Sequence, residues 1–456
     1  MTGSLRDLRS RLERGETTAR ELAQAALLRI ADPGGEGSRA FTEVFRESAL
    51  AAAEAADVLR RAGSVRSPLD GLPISVKDLF DVAGSVTRAG SLILSDAPPA
   101  RVDAVAIARL RRAGAVVVGR TNMTEFAYSG IGMNPHFGTP RNPWDRTVGR
   151  IPGGSSAGAA VSVTDGMAAA AIGTDTGGSV RIPAALCGLV GFKPTTGRIP
   201  LTGTYPLSQS LDSIGPLALT VEDCVLLDAV MAGVARPAPL DPVPLGTLRL
   251  LAPTNYVRDD CDATVTAAFA AALRELRAAG AVVDEAPLEP LDRVGPLQST
   301  GGLPAAEVYW AQRHLLAAHA AEYDPNVYFR IMRGSKMTAA DYLDIVNGRA
   351  ELIERLAAST HTYDALVWPT VAVVAPPIAE LENRDAYGRA NALILRNASV
   401  VNLIDGCALS LPAYEPGTPP VGLMLVGRRG EDRAILEIGA AVEAVLVAPL
   451  HGKAPR

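Results

Sequence analysis

The sequence predicts an α/β fold built around a largely buried sheet, and three observations carry that prediction. Short apolar, β-branched runs alternate along the chain with longer Ala- and Leu-rich stretches of helical length. The runs are apolar at successive positions rather than at every second one, as in strands covered on both faces. Twice the pattern completes a strand–helix–strand unit. The first is Leu72–Val76, then Asp103–Ala113 stopped by Gly114, then Ala115–Val118; the second is Leu248–Leu251, Ala263–Ala279 and Ala281–Val283. Such units bury their apolar surface by laying helices on a sheet.

The remaining elements follow from local signals. Thr18-Ala19-Arg20-Glu21 is a capping box, in which the threonine hydroxyl and the glutamate each satisfy an unpaired N–H ahead of apolar-periodic residues running to Ile30. Arg46–Arg61, rich in Ala, Leu and Glu, reads as a helix, with Gly63 just beyond it as a residue able to adopt a left-handed cap. Val234–Gly246, rich in Pro, Ala and Leu, reads as a surface loop, and Pro304–Leu356 as mainly helical. Tyr363–Thr370, Asn402–Gly406 and Pro420–Leu423 return to the pattern of the first half. No internal repeat or extended low-complexity tract interrupts it.

Composition narrows the function classes. With 456 residues and 48% hydrophobic content, the chain can bury a large core, and length alone suggests two or three domains. A net charge of −5, with no basic run interleaved with aromatics, argues against nucleic acid as a direct ligand. Cys187, Cys224, Cys261 and Cys407 are scattered, without CxxC pairing or metal-ligand spacing to histidine, and read as buried apolar residues of a reducing compartment. The N-terminus has no signal-peptide core and no long uncharged apolar stretch occurs elsewhere, so the expectation is a cytoplasmic protein that does not enter membranes.

The chemistry concentrates in two places. Of 44 Lys and Arg residues only Lys77, Lys193, Lys336 and Lys453 are lysine. Lysine can lose its proton when desolvated, which arginine effectively cannot, and Lys77 ends the apolar run Leu72-Pro73-Ile74-Ser75-Val76. By position alone it is also readable as a strand-end lysine reaching for water. Lys193 reads as structural, and Lys336 and Lys453 as solvated. Downstream, Ser155 follows Gly153-Gly154 and Ser179 follows Gly177-Gly178. Glycines beside a serine expose backbone N–H groups next to its hydroxyl, which is how a nucleophile and oxyanion donors are built together. Each serine alone would more commonly be a turn or cap residue. The stretch Gly154–Gly158 also matches GxSxG centred on Ser156, but Arg141–Pro152 before it does not read as the strand a nucleophile elbow requires. The five histidines, His136, His314, His319, His361 and His451, stand in no triad context.

The run Gly153–Ser179, continuing into Arg181-Ile182-Pro183-Ala184-Ala185 and Gly191-Phe192-Lys193-Pro194, resembles the signature of the amidase signature family of serine hydrolases, and Gly71–Asp78 resembles the segment carrying that family's lysine. The resemblance spans about Thr18 to Val445, densest from Leu72 to Pro216. It implies one domain over residues 1–456, with a central mixed sheet of many strands covered by helices on both faces. Its parts would be an N-terminal helical part (1–70), the catalytic core motifs (71–233), a variable, largely helical insert (234–360) and a C-terminal part of the same sheet (361–456). It further implies a Ser-Ser-Lys relay. Ser179 attacks a carbonyl, Ser155 after a cis peptide bond carries the proton, Lys77 is the ultimate base, and the N–H groups of Thr176, Gly177, Gly178 and Ser179 form an oxyanion hole. Ser156 is expected to hydrogen-bond locally, and Asp175 and Arg181 to form a buried ion pair. Tyr128, Met133 and His136 fall in the stretch that often lines the substrate cleft.

The function so implied is hydrolysis of a carboxylic amide, with esters, anilides or carbamates sharing the same acyl-enzyme scheme. No metal or other cofactor is expected; the partner is a small-molecule amide, and a homodimer stays open. Two other readings remain. One is the glutaminase subunit of a tRNA-dependent amidotransferase, which shares these motifs, including Thr139–Trp144. The other is a non-catalytic binding protein, opposed by the intact Lys77, Ser155 and Ser179. Where relatives commonly read Asn-Leu-x-Gly-x-Pro, this chain has Asn402-Leu403-Ile404-Asp405-Gly406-Cys407, a departure expected to reshape one wall of the cleft. No arginine is identifiable from sequence as a carboxylate clamp.

Overall fold

A computed structural model describes residues 3–234, 238–241 and 243–446. Eleven strands form one mixed sheet: β1 (Phe41–Val44), β2 (Pro73–Lys77), β3 (Val116–Thr121), β4 (Ala170–Asp175), β5 (Val190–Lys193), β6 (Ser213–Ala218), β7 (Arg249–Pro253), β8 (Val282–Ala286), β9 (Ala365–Pro369), β10 (Cys407–Pro412) and β11 (Gly422–Gly427). Their order across the sheet is β1-β3-β2-β4-β6-β5-β10-β11-β9-β7-β8. Every residue of β2, β3, β4, β6, β10 and β11 is buried, which is why their sequences lack alternation.

Both expected strand–helix–strand units are present with parallel pairing, β2 with β3 and β7 with β8. The helix of the first begins at Val105 rather than Asp103, because Asp103 instead accepts a hydrogen bond from Ala83 N–H at 2.8 Å and pairs with Arg111. The parallel pair β2–β4 lies beside antiparallel pairs β4–β6, β5–β6, β5–β10 and β10–β11. The Thr18 capping box forms as expected and opens the helix Ala19–Ile30. Arg46–Arg61 is helical, and Gly63 takes φ +72° beyond it. Two further capping boxes, at Ser4 and Thr338, and the helix Arg384–Leu403 went unread in the sequence. The 304–356 region is carried mainly by the helices Gly302–His319, Pro325–Ile331 and Ala339–Thr360. Of the expected loop at 234–246, residues 235–237 and 242 lie outside the described residues, as do Lys453 and His451.

Cys187, Cys224 and Cys407 are buried, but Cys261 is only half-buried, its N–H donating to Arg258 O at 3.4 Å. Lys336 is exposed as expected. Among the described residues no helix is long and apolar enough to cross a membrane, and no group of three or more His, Cys, Asp or Glu side chains is placed to hold a metal ion.

Candidate active site

Lys77 is the last residue of β2 and Asp175 the last of β4, and the two strands are parallel neighbours. The carboxyl ends of adjacent parallel strands, where the chain must leave the sheet, are the usual place for a site in such folds. Here they bring Lys77, at the end of one run, against the Gly173–Ser179 segment from the other. Lys77 is fully buried. Its Nζ lies 2.7 Å from Ser155 Oγ and 2.9 Å from Thr174 Oγ1. Burial pushes its pKa down to about 7, against the pull of the Asp175 and Asp212 carboxylates. The structure therefore joins two of the three expected relay residues across 78 positions of sequence.

Ser155 is buried and its peptide bond to Gly154 is cis. Ser156 stands at the N-cap position of the helix Ala157–Thr164; the segment before it contains no strand, and its Oγ turns to Thr174 O at 3.5 Å. The GxSxG match is thus not a nucleophile elbow. Ser179, by contrast, lies on the wall of a cavity, and its carbonyl accepts from Ser156 N–H at 3.3 Å. The Ser155 and Ser179 hydroxyls are not hydrogen-bonded to each other; the two serine segments are linked through Ser156, by its N–H to Ser179 O and its hydroxyl to Thr174 O.

The loop carrying Ser179 is shaped by Asp175. Its carboxylate accepts from Gly178 N–H at 2.9 Å and Val180 N–H at 3.1 Å. It is gripped by Arg181 through Nε at 3.0 Å and Nη2 at 2.8 Å, with both side chains fully buried. Arg181 also donates to Ala398 O, Met424 Sδ and Asn402 Oδ1, so all five of its N–H groups are satisfied. Burial pushes the Asp175 carboxyl up, but Arg181 together with Lys193 and Asn402 outweighs it and holds Asp175 well below the usual carboxylate range. Lys193 is structural as expected, donating to Pro194 O and Gly406 O. One expectation changes: Gly178 N–H points into Asp175, not into the cavity. Among the described residues the N–H groups of Thr176, Gly177 and Ser179 have no protein acceptor, which leaves those three available to a developing oxyanion.

The cavity is lined by Ala127, Tyr128 and Ser129 on one side and Leu207, Leu211, Leu303, Pro304, Leu395 and Leu403 on others, with Thr176, Gly177 and Ser179 at one end. It offers about 110 Å³ to the centres of water-sized molecules, well beyond the roughly 10–15 Å³ that a single water needs. Tyr128 is on the wall as sequence suggests. Met133 packs instead with Ile131 and Ile151, and His136 bonds Glu125 through Nε2 at 2.9 Å; neither lines the cavity. The departure at Asp405 and Cys407 does not form the cleft wall either. Asp405 pairs with Arg429 and Cys407 opens β10, while Ser399 and Leu403 of the preceding helix supply the wall. Sequence reasoning missed Thr174, whose hydroxyl stands 2.9 Å from Lys77 Nζ but which carries no motif signal of its own. It also missed Gln298, Ser399 and Arg330, which arrive from segments distant in sequence and carry no motif.

Comparison with known proteins agrees with this architecture. The sequence profile of the family described as "Amidase" matches residues 23–436. The chain is 39% identical over 411 residues to 2-amino-5-chloromuconic acid deaminase of Comamonas testosteroni, covering 87% of this chain and 86% of that one. It is 36% identical to a glutamyl-tRNA(Gln) amidotransferase subunit of Chloroflexus aggregans, covering 95% and 94%. Among solved structures, a crystal structure of an amidase superposes with a TM-score of 0.88 at 36% identity, covering 97% of this chain and all of the other.

Proposed function

Because the chain belongs to the amidase signature family and is a C–N hydrolase, we propose that it cleaves small carboxylic amides through an acyl-enzyme on Ser179, with Ser155 as proton carrier and Lys77 as base. The observation that carries the reading is the 2.7 Å approach of a fully buried Lys77 Nζ to Ser155 Oγ beside the cavity that holds Ser179. An amine with a pKa near 7 is partly neutral at physiological pH and can accept a proton. When substrate enters, Ser179 Oγ turns toward Ser155, passes its proton to Ser155 Oγ as Ser155 gives its own to Lys77 Nζ, and bonds to the carbonyl carbon. The N–H groups of Thr176, Gly177 and Ser179 take up the negative charge of the tetrahedral oxygen. Reversing the relay delivers the proton to the leaving nitrogen, the C–N bond breaks and the amine departs. Water, deprotonated along the same path, then releases the acid and restores Ser179.

Esters, anilides and carbamates fit the same scheme, since each presents a carbonyl with a leaving group. This reading treats the whole chain as one amidase domain. The glutaminase reading draws on the relatives of the second kind, and differs in needing an ammonia-accepting partner. A fluorophosphonate probe followed by peptide mapping tests the assignment. The adduct is expected on Ser179 and absent in Ser179→Ala; an adduct on Ser156 overturns it.

A further inference from the structure

Asp212 is a buried carboxylate that the relay does not use. Asp175, the last residue of β4, stands opposite Ser213, the first of β6, so Asp212 comes opposite Thr176 of the oxyanion loop. There its Oδ1 accepts from Thr176 Oγ1 at 2.5 Å, and its Oδ2 accepts from Leu207 N–H at 2.9 Å and Ser208 N–H at 3.1 Å. One side chain thus ties the loop carrying Thr176 to the segment that supplies Leu207 and Leu211 to the cavity wall. All three donors are neutral, and among the described residues no arginine or lysine stands within ion-pair distance of Asp212.

Two carboxylates act on the buried Lys77 amine, Asp175 and Asp212. Asp175 is already matched by the two-point grip of Arg181 and by Lys193. Asp212 has no such match. A further carboxylate bears on it, Glu307 of the helix Gly302–His319, which accepts from Ser208 Oγ. Burial, with Glu307 adding to it, pushes Asp212 up to about 6 against the hydrogen bonds from Thr176, Leu207 and Ser208, so it is ionised at neutral pH. Burying an ionised carboxylate among neutral donors alone is costly, and a brace between two loops would be served as well by asparagine. The charge gains its partner when Lys77 takes up the serine proton and becomes an ammonium. We propose that Asp212 is a positioning residue for the reaction: it fixes Thr176 and the oxyanion loop against β6, and its negative charge stabilises the ammonium that forms on Lys77. The proposal rests on the Ser179–Ser155–Lys77 reading above and adds to it a side chain that acts through Thr176 and Lys77 without touching substrate.

The test is the rate at which a fluorophosphonate labels Ser179, followed across about pH 5 to 9 in the parent and in Asp212→Asn. Asparagine keeps the shape: its amide oxygen accepts from Leu207 and Ser208 while its amide nitrogen donates to Thr176 Oγ1, so only the charge is lost. In the parent the rate should rise through pH 7 with Lys77, and steepen to a slope of about two below about pH 6, where Asp212 is protonated as well. In Asp212→Asn the limb should have a slope of about one and lie about one unit lower, because Lys77 holds its proton less tightly without the counter-charge. Labelling of that variant at about pH 8 should be about tenfold or more slower. Glu307→Gln removes a like charge from outside the site, so it should lower the pH at which the parental limb steepens; it carries the test if the asparagine chain does not fold. A limb that keeps its midpoint and slope in Asp212→Asn, or that steepens at the parental pH in Glu307→Gln, overturns the proposal and leaves the relay standing, because a mere brace changes the rate but not the number of protons. Labelling at a serine other than Ser179, or a parental limb centred near an ordinary lysine value of about 10.4, takes down the relay itself and this proposal with it.

Discussion

Lys77 is sealed from solvent, and among the described residues only two hydroxyls, Ser155 and Thr174, stand within hydrogen-bond reach of its amine. An arginine there would stay charged at every working pH, so Lys77→Arg should lower kcat about 100- to 10,000-fold, as should Lys77→Ala. Steady-state rates on a simple anilide check this, and an arginine variant with about a tenth of the parental activity would sink the relay. The pH profile follows with a definite sign. Lys77 accepts a proton only when neutral, and its pKa is pushed down to about 7, so kcat/KM should rise from acid through pH 7 and level off above it. An acid limb centred near an ordinary lysine value of about 10.4 would show that the amine is not the base. These residues were legible because glycine pairs and a lone lysine advertise their chemistry locally. Arg330 was not, since nothing around it in sequence says that Tyr128 lies beneath it.

At the scale of the element, the loop from Asp175 to Arg181, closed on itself by the buried Asp175–Arg181 pair, is fastened to the helix Arg384–Leu403 by Arg181 donating to Ala398 O and by Asn402. Asn402 donates to Asp175 Oδ1 at 2.9 Å while accepting from Arg181 at 2.8 Å. Gly178 at φ +121° lets that helix pass close by, where a Cβ would collide with Ala398. Arg181→Ala leaves a fully buried carboxylate without its counter-ion, and should cost about 3–5 kcal/mol in denaturant unfolding. A loss of about 1 kcal/mol or less, the size of an exposed pair, would show that the loop is held by its backbone bonds alone. The pH sign is the usual one for a depressed carboxyl. Asp175 in the fold titrates well below the unfolded value of 3.8, so its contribution is whole above that pH and is lost as the pH falls below it. The strands of this layer were readable from their unbroken apolar runs. The helix Arg384–Leu403 was not, because its inward face carries the polar residues Asn391, Asn397 and Asn402, which serve buried hydrogen bonds and break the apolar period.

Across the whole molecule, the sheet order separates what sequence could and could not supply. Both parallel units are local in the chain, and their rhythm announces them. The antiparallel middle joins β5 to β10 and β4 to β6 across long stretches, and no local pattern dictates which strand neighbours which. The cavity inherits this: its wall gathers residues from 127–129, 176–179, 207–211, 298–304, 330 and 395–403 around the end of β4. Lys77, Ser155 and Ser179 all lie on elements of one sheet and its flanking loops. In the proposed relay the base, proton carrier and nucleophile all come from these segments of one chain. The purified chain should therefore hydrolyse small amides by itself, at a rate per protomer that stays constant over about a hundredfold dilution, since mass action penalises only sites assembled between chains. Released ammonia should appear in bulk solution in step with the acid. Turnover that fades on dilution would place part of the site on a partner copy. Turnover that begins only when another polypeptide is added, with ammonia passed on rather than released, would mark the chain as a glutaminase component instead.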